Sequence, residues 1–257
     1  MSVTERREQV AGLEIAWREA PTPDGAAPVL YLHGVPGHGD DWLPFLERTG
    51  GYALDLPGFG RSDKPPHFDY SIDGYGRFLT EFADHLGLDR LRLVLHDWGA
   101  VGLSLPPERI ERLVVMNAVP FLPGYRWHRV ARLWRTPLLG ELAMGFTFKW
   151  TLRRGVPDEL VDGAYEHFDH GTQRAILKLY RSAPPDRLAA AQARLAEITA
   201  PALVLWGEPD EYLPTEFAHR YADALGGDAR VEVVEGAGHW PWVKRPDVID
   251  TVTSFLA

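Results

Sequence analysis

The sequence predicts an α/β fold, a mostly parallel, doubly wound sheet that is interrupted by one long helical segment. Two observations predict the sheet: short apolar runs recur and end in turn residues, and helical patterns lie between them. A third observation predicts the helical segment, because the alternation stops between about residues 121 and 198. The chain has 257 residues, 45% of them hydrophobic, so it can bury a large core without a metal or a disulfide.

Five apolar runs are the predicted strands. Continuous runs of this length are typical of strands that are buried on both faces of a parallel sheet. Between them, apolar residues at helical spacing predict helices over residues 77–86 and 215–225. The predicted strands, in chain order, are residues 29–32, 91–95, 113–116, 202–206 and 231–234.

Residues 121–197 lack a convincing strand pattern and end in an Ala-rich helical run over residues 186–197. We interpret them as a helical domain inserted into an α/β core domain that residues 1–120 and 198–257 form. The alternative is an ordinary run of crossover helices. It is less favoured, because nearly 80 residues exceed what one crossover connection needs.

Composition excludes several classes of protein and site. The chain has no cysteine, which excludes a disulfide framework, a thiolate metal site and a cysteine nucleophile. Its formal charge of −9 disfavours sequence-independent binding of nucleic acid. The N-terminal residues lack the apolar stretch of a signal peptide, and no run approaches the roughly 20 apolar residues of a membrane span. We therefore expect a cytoplasmic protein with no cofactor and no nucleic-acid or membrane partner.

Acidic and histidine side chains follow three of the predicted strands. Ligands of doubly wound sheets bind outside the carboxyl ends of the strands, and Asp97, Asp210 and His239 all come soon after such ends. Each also has a structural interpretation: Asp97 as a helix N-cap, Asp210 as a turn residue and His239 as a loop histidine. Glu208 and Glu211 are alternatives to Asp210 as the second acid.

Ser104 is an alternative nucleophile that the pattern disfavours. It lies in half of a Gly-x-Ser-x-Gly motif, but Pro106 stands where the last glycine would be. Ser104 also comes seven residues after Asp97, within the segment that follows the strand. We do not expect it to act in catalysis.

Four motifs in this chain resemble those of the α/β-hydrolase superfamily, in the branch that contains epoxide hydrolases and haloalkane dehalogenases. They occur in the family's order and with family-like spacing, and the resemblance covers nearly the whole chain. It implies an α/β-hydrolase fold with a helical cap over residues 121–197. The motifs are residues 33–37 (HGVPG), 55–65 (DLPGFGRSDKP), 96–100 (HDWGA) and 236–239 (GAGH).

The resemblance implies a two-step reaction. Asp97 holds the position that serine usually has, and a carboxylate is already ionised at pH 7 and needs no base to attack. The product of its attack is an alkyl ester on Asp97, which a water activated by His239 and Asp210 hydrolyses. The backbone N–H groups of Val35 and Trp98 are expected to stabilise the oxyanion. His33, Gly34 and Pro36 of the same loop are expected to border a small apolar substrate.

The substrate class depends on the group that stabilises the leaving atom. Epoxide hydrolases of this family use two cap tyrosines; Tyr180, which Arg181 follows, resembles one of them, and Tyr165 or Tyr125 is the candidate for the other. Haloalkane dehalogenases use N–H donors, for which Trp98 and a cap tryptophan are candidates. We favour the epoxide hydrolase. The alternatives are a haloalkane dehalogenase and a non-catalytic ligand-binding relative, although the latter would usually have lost a triad residue.

The segment after Asp97 departs from the family pattern. Pro106 follows Asp97 after only eight intervening residues, and proline ends a helix at such a point. In the family this helix is longer by about one turn, roughly four residues. We expect either a shifted following segment or weakened stability there.

Overall fold

A computed structural model describes residues 2–257 and contains one eight-stranded sheet. The strands lie in the order β1-β2-β4-β3-β5-β6-β7-β8. β1 and β2 pair antiparallel, as do β2 and β4, and the other five adjacent pairs are parallel. The strands are β1 Thr4–Val10, β2 Leu13–Ala20, β3 Val29–Leu32, β4 Gly51–Leu54, β5 Leu91–Asp97, β6 Ile110–Ala118, β7 Ala202–Glu208 and β8 Ala229–Glu235.

Helices cover both faces of the sheet. In β3, Leu30 and Leu32 pack into one apolar cluster while Val29 and Tyr31 pack into another, as the alternation of side chains along a strand requires. The doubly wound prediction is therefore confirmed. The α-helices are α1 Leu43–Thr49, α2 Ile72–His85, α3 Arg129–Arg135, α4 Leu139–Gly145, α5 Lys149–Leu152, α6 Asp158–Glu166, α7 His170–Ser182, α8 Pro185–Ala191, α9 Glu216–Ala224, α10 Pro241–Lys244 and α11 Asp247–Leu256.

All five predicted strands are present, and three further strands are not evident in the sequence pattern. β1 is charged and largely exposed because it lies at the edge of the sheet and pairs on one side only. β4 has four residues and begins with glycine, so it shows too little periodicity to identify. The two predicted helices correspond to α2 and α9, and α2 begins earlier than expected because Ser71 caps it by accepting from the Gly74 N–H.

Between β6 and β7 the described chain contains helices α3 to α8 and no strand. The expected helix over residues 186–197 is divided in two. α8 covers its first half, and a 3₁₀ helix, Gln192–Glu197, continues it. In residues 2–257 we find no helix long and apolar enough to cross a bilayer.

The segment behind Asp97 is a 3₁₀ helix, Trp98–Ser104, rather than an α-helix. Its rise of about 2.0 Å per residue lets seven residues span roughly 14 Å, a length for which an α-helix needs about nine residues. The tighter winding thus compensates for part of the missing turn. Ser104 lies at the far end of this helix against α2, where a Cβ on Gly76 would be 2.7 Å from the Ser104 Cβ.

Candidate active site

Asp97 ends β5 in a backbone conformation that few residues other than glycine adopt. Its φ is 50° and its ψ is −120°, and the chain turns there directly into the 3₁₀ helix. The turn is crowded on both sides. A Cβ on Gly34 would lie 2.5 Å from Asp97 Oδ1, and one on Gly99 would lie 2.9 Å from the carbonyl carbon of Leu32. Such a strained strand-to-helix turn is characteristic of a nucleophile elbow.

The two oxygens of the Asp97 carboxylate have different environments. Oδ1 accepts the Val35 backbone N–H at 2.8 Å, and the Trp98 backbone N–H also donates to this carboxylate. Oδ2 lies 3.8 Å from Nε2 of His239. One oxygen is therefore held by the loop after β3, while the other faces the histidine.

His239 and Asp210 form a close pair behind Asp97. Nδ1 of His239 lies 2.7 Å from Oδ2 of Asp210, so its proton points to the carboxylate and Nε2 points to Asp97. The backbone N–H groups of Tyr212 and Leu213 hold the other Asp210 oxygen at 2.7 and 3.0 Å. Asp210, rather than Glu208 or Glu211, is thus the acid that reaches the histidine.

Asn117 is a supporting residue that the sequence reasoning missed. In the structure its Nδ2 donates to Asp210 Oδ2 at 2.7 Å and to the Gly207 carbonyl at 3.0 Å, and its Oδ1 accepts the Gly207 N–H at 2.8 Å. Asn117 is fully buried and has a φ of 35°. It ties the ends of β6 and β7 together and orients Asp210.

Burial and mutual charge set the protonation of the three residues. Burial raises the pKa of Asp97 above its ordinary value, although His239 and the two backbone donors oppose this. Burial alone would lower the pKa of His239, but Asp210 and Asp97 outweigh it and leave that pKa raised. Burial would likewise raise the pKa of Asp210, but His239 and the hydrogen bonds leave it lowered. Asp210 therefore stays ionised beside the histidine.

Asp97 and His239 line a cavity of about 470 Å³. Helices α3, α4, α5 and α7 form much of its wall, and most of its lining is apolar, as is typical of a site for a small apolar ligand. Its lining includes Val35, Pro36, Val130, Trp134, Phe146, Leu152, Val156, Phe168, Ile176, Tyr180, Tyr212 and Trp240.

Two neutral donors face this cavity. Burial, then the charge of Asp97, hold the pKa of Tyr180 well above its ordinary value, although a side-chain hydrogen bond with Trp98 opposes this. His128 accepts the Ala131 N–H at Nδ1, which leaves the proton on Nε2, and burial lowers its pKa to about 4. The sequence analysis identified neither His128 nor Tyr212 as a cavity residue. His128 stands just before the helical pattern of α3, and this position indicates a helix N-cap and not a ligand-binding residue.

Three of the predicted substrate-binding residues do not reach the cavity. His33 is buried, and both its ring nitrogens are occupied, since Nδ1 bonds to the Gly34 carbonyl at 2.7 Å and Nε2 accepts the Leu56 N–H at 3.0 Å. Gly34 supports Asp97 from the side and presents no side chain. Tyr165 of α6 is 38% exposed and does not line the cavity. The alternative, Tyr125, is buried and directs its hydroxyl to the Tyr212 carbonyl at 3.4 Å.

The Trp98 side chain is buried against the aromatic residues of the helical segment. It stacks on Trp127 with ring centroids 5.5 Å apart and meets Tyr180 edge-on at 5.1 Å. Its Nε1 has no hydrogen-bond partner in the described part of the chain. Trp127 has no free donor, because its Nε1 donates to the Ala183 carbonyl at 2.9 Å.

Comparison with known proteins gives consistent relatives. A 2-hydroxy-6-oxononadienedioate/2-hydroxy-6-oxononatrienedioate hydrolase of Klebsiella pneumoniae is 26% identical over 91% of this chain and 88% of its own. A haloalkane dehalogenase of Bradyrhizobium diazoefficiens is 30% identical over 91% of this chain and 87% of its own. Epoxide hydrolase 3 of Xenopus tropicalis is 25% identical over 87% of this chain and 69% of its own.

The solved structures and the family match agree with these relatives. The crystal structure of DBJA superposes with a TM-score of 0.85 and 26% identity, over 99% of this chain and 97% of that one. The sequence pattern of the alpha/beta hydrolase family matches residues 29–251, which include all the strands from β3 to β8. The chain therefore belongs to the alpha/beta hydrolase family, as the resemblance of its motifs predicted.

Proposed function

We propose that this protein hydrolyses an apolar epoxide to a vicinal diol through an ester on Asp97. One observation carries the proposal: Asp97 lines an apolar cavity, its Oδ1 accepts the Val35 backbone N–H at 2.8 Å, and its Oδ2 lies 3.8 Å from His239 Nε2. A serine-type hydrolase would need a hydroxyl at this elbow, where the chain has a carboxylate.

In the first step, Oδ2 of Asp97 attacks one carbon of the epoxide ring. The C–O bond of that carbon breaks, its electron pair goes to the ring oxygen, and the oxygen takes a proton from the Tyr180 hydroxyl. Tyr180 suits this role because it lines the cavity and remains protonated. The tyrosinate regains a proton from solvent, and the Asp97 carboxyl, which the second step leaves protonated, returns one proton to solvent.

In the second step, a water attacks the carbonyl carbon of the Asp97 ester. Nε2 of His239 takes the proton of that water while Asp210 stabilises the resulting imidazolium. Val35 and Trp98 donate to the developing oxyanion on Oδ1, the C–O bond to the alkyl group breaks, and the diol leaves with the proton from His239.

A haloalkane dehalogenase is the second candidate, because Trp98 Nε1 is buried without a partner near Asp97. With Trp134, which lines the cavity, it could form a pair of donors for a departing halide. The haloalkane dehalogenase of Bradyrhizobium diazoefficiens, 30% identical to this chain, supports this candidate. Both reactions share the ester on Asp97 and differ only in the leaving atom.

The two candidates are separated by a paired assay with styrene oxide and 1-bromobutane, in which diol and bromide are measured. We expect diol and no bromide; bromide alone would select the dehalogenase. His239→Gln should then trap the ester, seen as the substrate's mass added to the protein. The matched control, His219→Gln at an exposed position of α9, should trap no ester. The double variant Asp97→Ala with His239→Gln should trap none either, because it lacks the nucleophile. If a substrate that is turned over leaves no adduct on His239→Gln, the covalent mechanism is wrong.

A further inference from the structure

The helical segment carries nearly all of the exposed large apolar side chains. Ten such side chains are exposed in residues 2–257, and nine of them lie between residues 130 and 165. Two of the nine, Val130 and Phe146, also line the cavity. Monomeric soluble proteins rarely leave a large apolar patch exposed without a function for it. The most exposed of them are Leu138, Phe146, Leu142, Trp150, Leu139 and Phe148.

Leu138 is the most prominent of these residues. Its side chain is 82% exposed, and it stands in the loop between α3 and α4 with a φ of 68°. A branched aliphatic residue in the left-handed region costs about 1–3 kcal/mol, and such strain persists where the surroundings impose it. The fold thus holds an apolar side chain out into solvent at the tip of a loop.

The first part of this region, which contains α3 and α4, is strongly basic although the protein is acidic. Residues 126–154 contain seven Arg and Lys residues and one Glu, a net charge of +6 in a chain of −9. Arg126, Arg129 and Arg132 are exposed and form no ion pair with any residue from 2 to 257. Unpaired arginines beside exposed Leu, Phe and Trp are the features of an element that lies in the interface of an anionic bilayer.

A second copy of this chain fits the surface less well. A symmetric dimer would bring two identical patches together, so two basic segments would face each other and repel. A bilayer that contains anionic lipid instead offers negative charge for the arginines and hydrocarbon for the leucines and aromatics at once.

We propose that α3, α4 and the loop that joins them dock on the surface of an anionic phospholipid bilayer. Leu138 and Leu142 enter the headgroup region, while Arg129 and Arg132 contact lipid phosphates. α3 and α4 also border the cavity, so docking turns this wall of the cavity toward the membrane. The proposal revises the expectation of no membrane partner, and it is independent of the proposed reaction.

Vesicle flotation tests it. With phosphatidylglycerol–phosphatidylcholine vesicles at low salt, we expect the whole protein to float, and with pure phosphatidylcholine we expect it to stay in solution. Arg129→Glu with Arg132→Glu should lower the partition coefficient by at least about 25-fold, since each basic residue near an anionic surface contributes roughly fivefold. Leu138→Asp should lower it as well, and 0.5 M salt should weaken binding of the unaltered protein.

The matched controls lie on the α/β core. Arg48→Glu with Arg230→Glu makes the same change of charge at exposed sites, and Val233→Asp makes the same apolar-to-acidic change. These variants should float within about twofold of the unaltered protein, and circular-dichroism melts should show all variants folded. The proposal is overturned if no vesicle is bound, if the controls lose as much binding as the patch variants, or if light scattering shows a dimer that Leu138→Asp dissociates.

Discussion

Asn117→Ala is expected to slow the second half of the proposed reaction more than the first. The substitution removes the Nδ2 donor that lies 2.7 Å from Asp210 Oδ2, together with both hydrogen bonds to Gly207. Asp210 then loses one of its two partners on Oδ2 and holds His239 less firmly. A hydrogen bond to a charged group contributes about 1.5–3 kcal/mol, which corresponds to roughly 10- to 150-fold in rate if it is lost in the transition state.

The assay separates the two half-reactions. Rapid mixing followed by an acid quench and intact-mass measurement gives the rate at which the Asp97 ester forms and the rate at which it disappears. Ester formation should change little, because Asp97 keeps its backbone donors, Val35 and Trp98. Ester hydrolysis should fall within the 10- to 150-fold range, so the ester should accumulate in the steady state.

Thr49→Val is the matched control. It removes a buried hydroxyl that bonds to Tyr31 at 2.5 Å on the far side of the fold, so it should cost stability without trapping the ester. If Asn117→Ala slows ester formation as much as hydrolysis, Asn117 acts through Asp97 and the role given to it here is wrong. Unchanged hydrolysis would refute the reasoning as well.

Two further predictions concern Gly34 and Asp41. Gly34→Ala should abolish ester formation, because its methyl group would lie 2.5 Å from Asp97 Oδ1, in the space of the oxyanion. In the control, Gly145→Ala, the added methyl group has nothing within 4 Å, so the rate of ester formation should not change. Burial raises the pKa of Asp41 to about 8, so the folded protein keeps a proton that the unfolded chain loses above about pH 4. Stability should therefore fall between pH 5 and 8 by up to about 1.4 kcal/mol per pH unit, and Asp41→Asn should flatten this dependence in urea unfolding. Parallel curves for the two proteins would contradict the assignment.

The strand positions were predictable because burial on both faces imposes a continuous apolar run. β3 and β5 are such strands. Parallel strands end at one edge of the sheet, so the residues that follow them are predicted to lie together there. Asp97, Asp210 and His239 could thus be brought together from the sequence. β1 could not be identified, because an exposed edge strand contacts solvent and does not need apolar residues.

The lining of the cavity was less predictable because it depends on helix rotation and on distant contacts. In α6, Val161 and Ala164 face inward, which turns Tyr165 outward. No local pattern distinguishes this orientation of the helix from one rotated by a single residue, which would turn Tyr165 inward. His33 is held by an N–H of Leu56, which is 23 residues away and follows another strand. The bond from Asn117 to Asp210 spans 93 residues, so no local motif reveals it.

The charges of the site also explain why His239 acts in the second step of the proposed reaction and not in the first. While Asp97 is ionised, its charge helps to keep the pKa of His239 raised, and a protonated His239 does not compete for the electrophile. Formation of the ester removes that charge from Oδ2, so the pKa of His239 falls by the part that Asp97 supplied. His239 then loses its proton more readily and becomes a base at the step that needs one. Asp210 keeps its charge throughout and holds the ring in place, which is why a second, separate carboxylate is required.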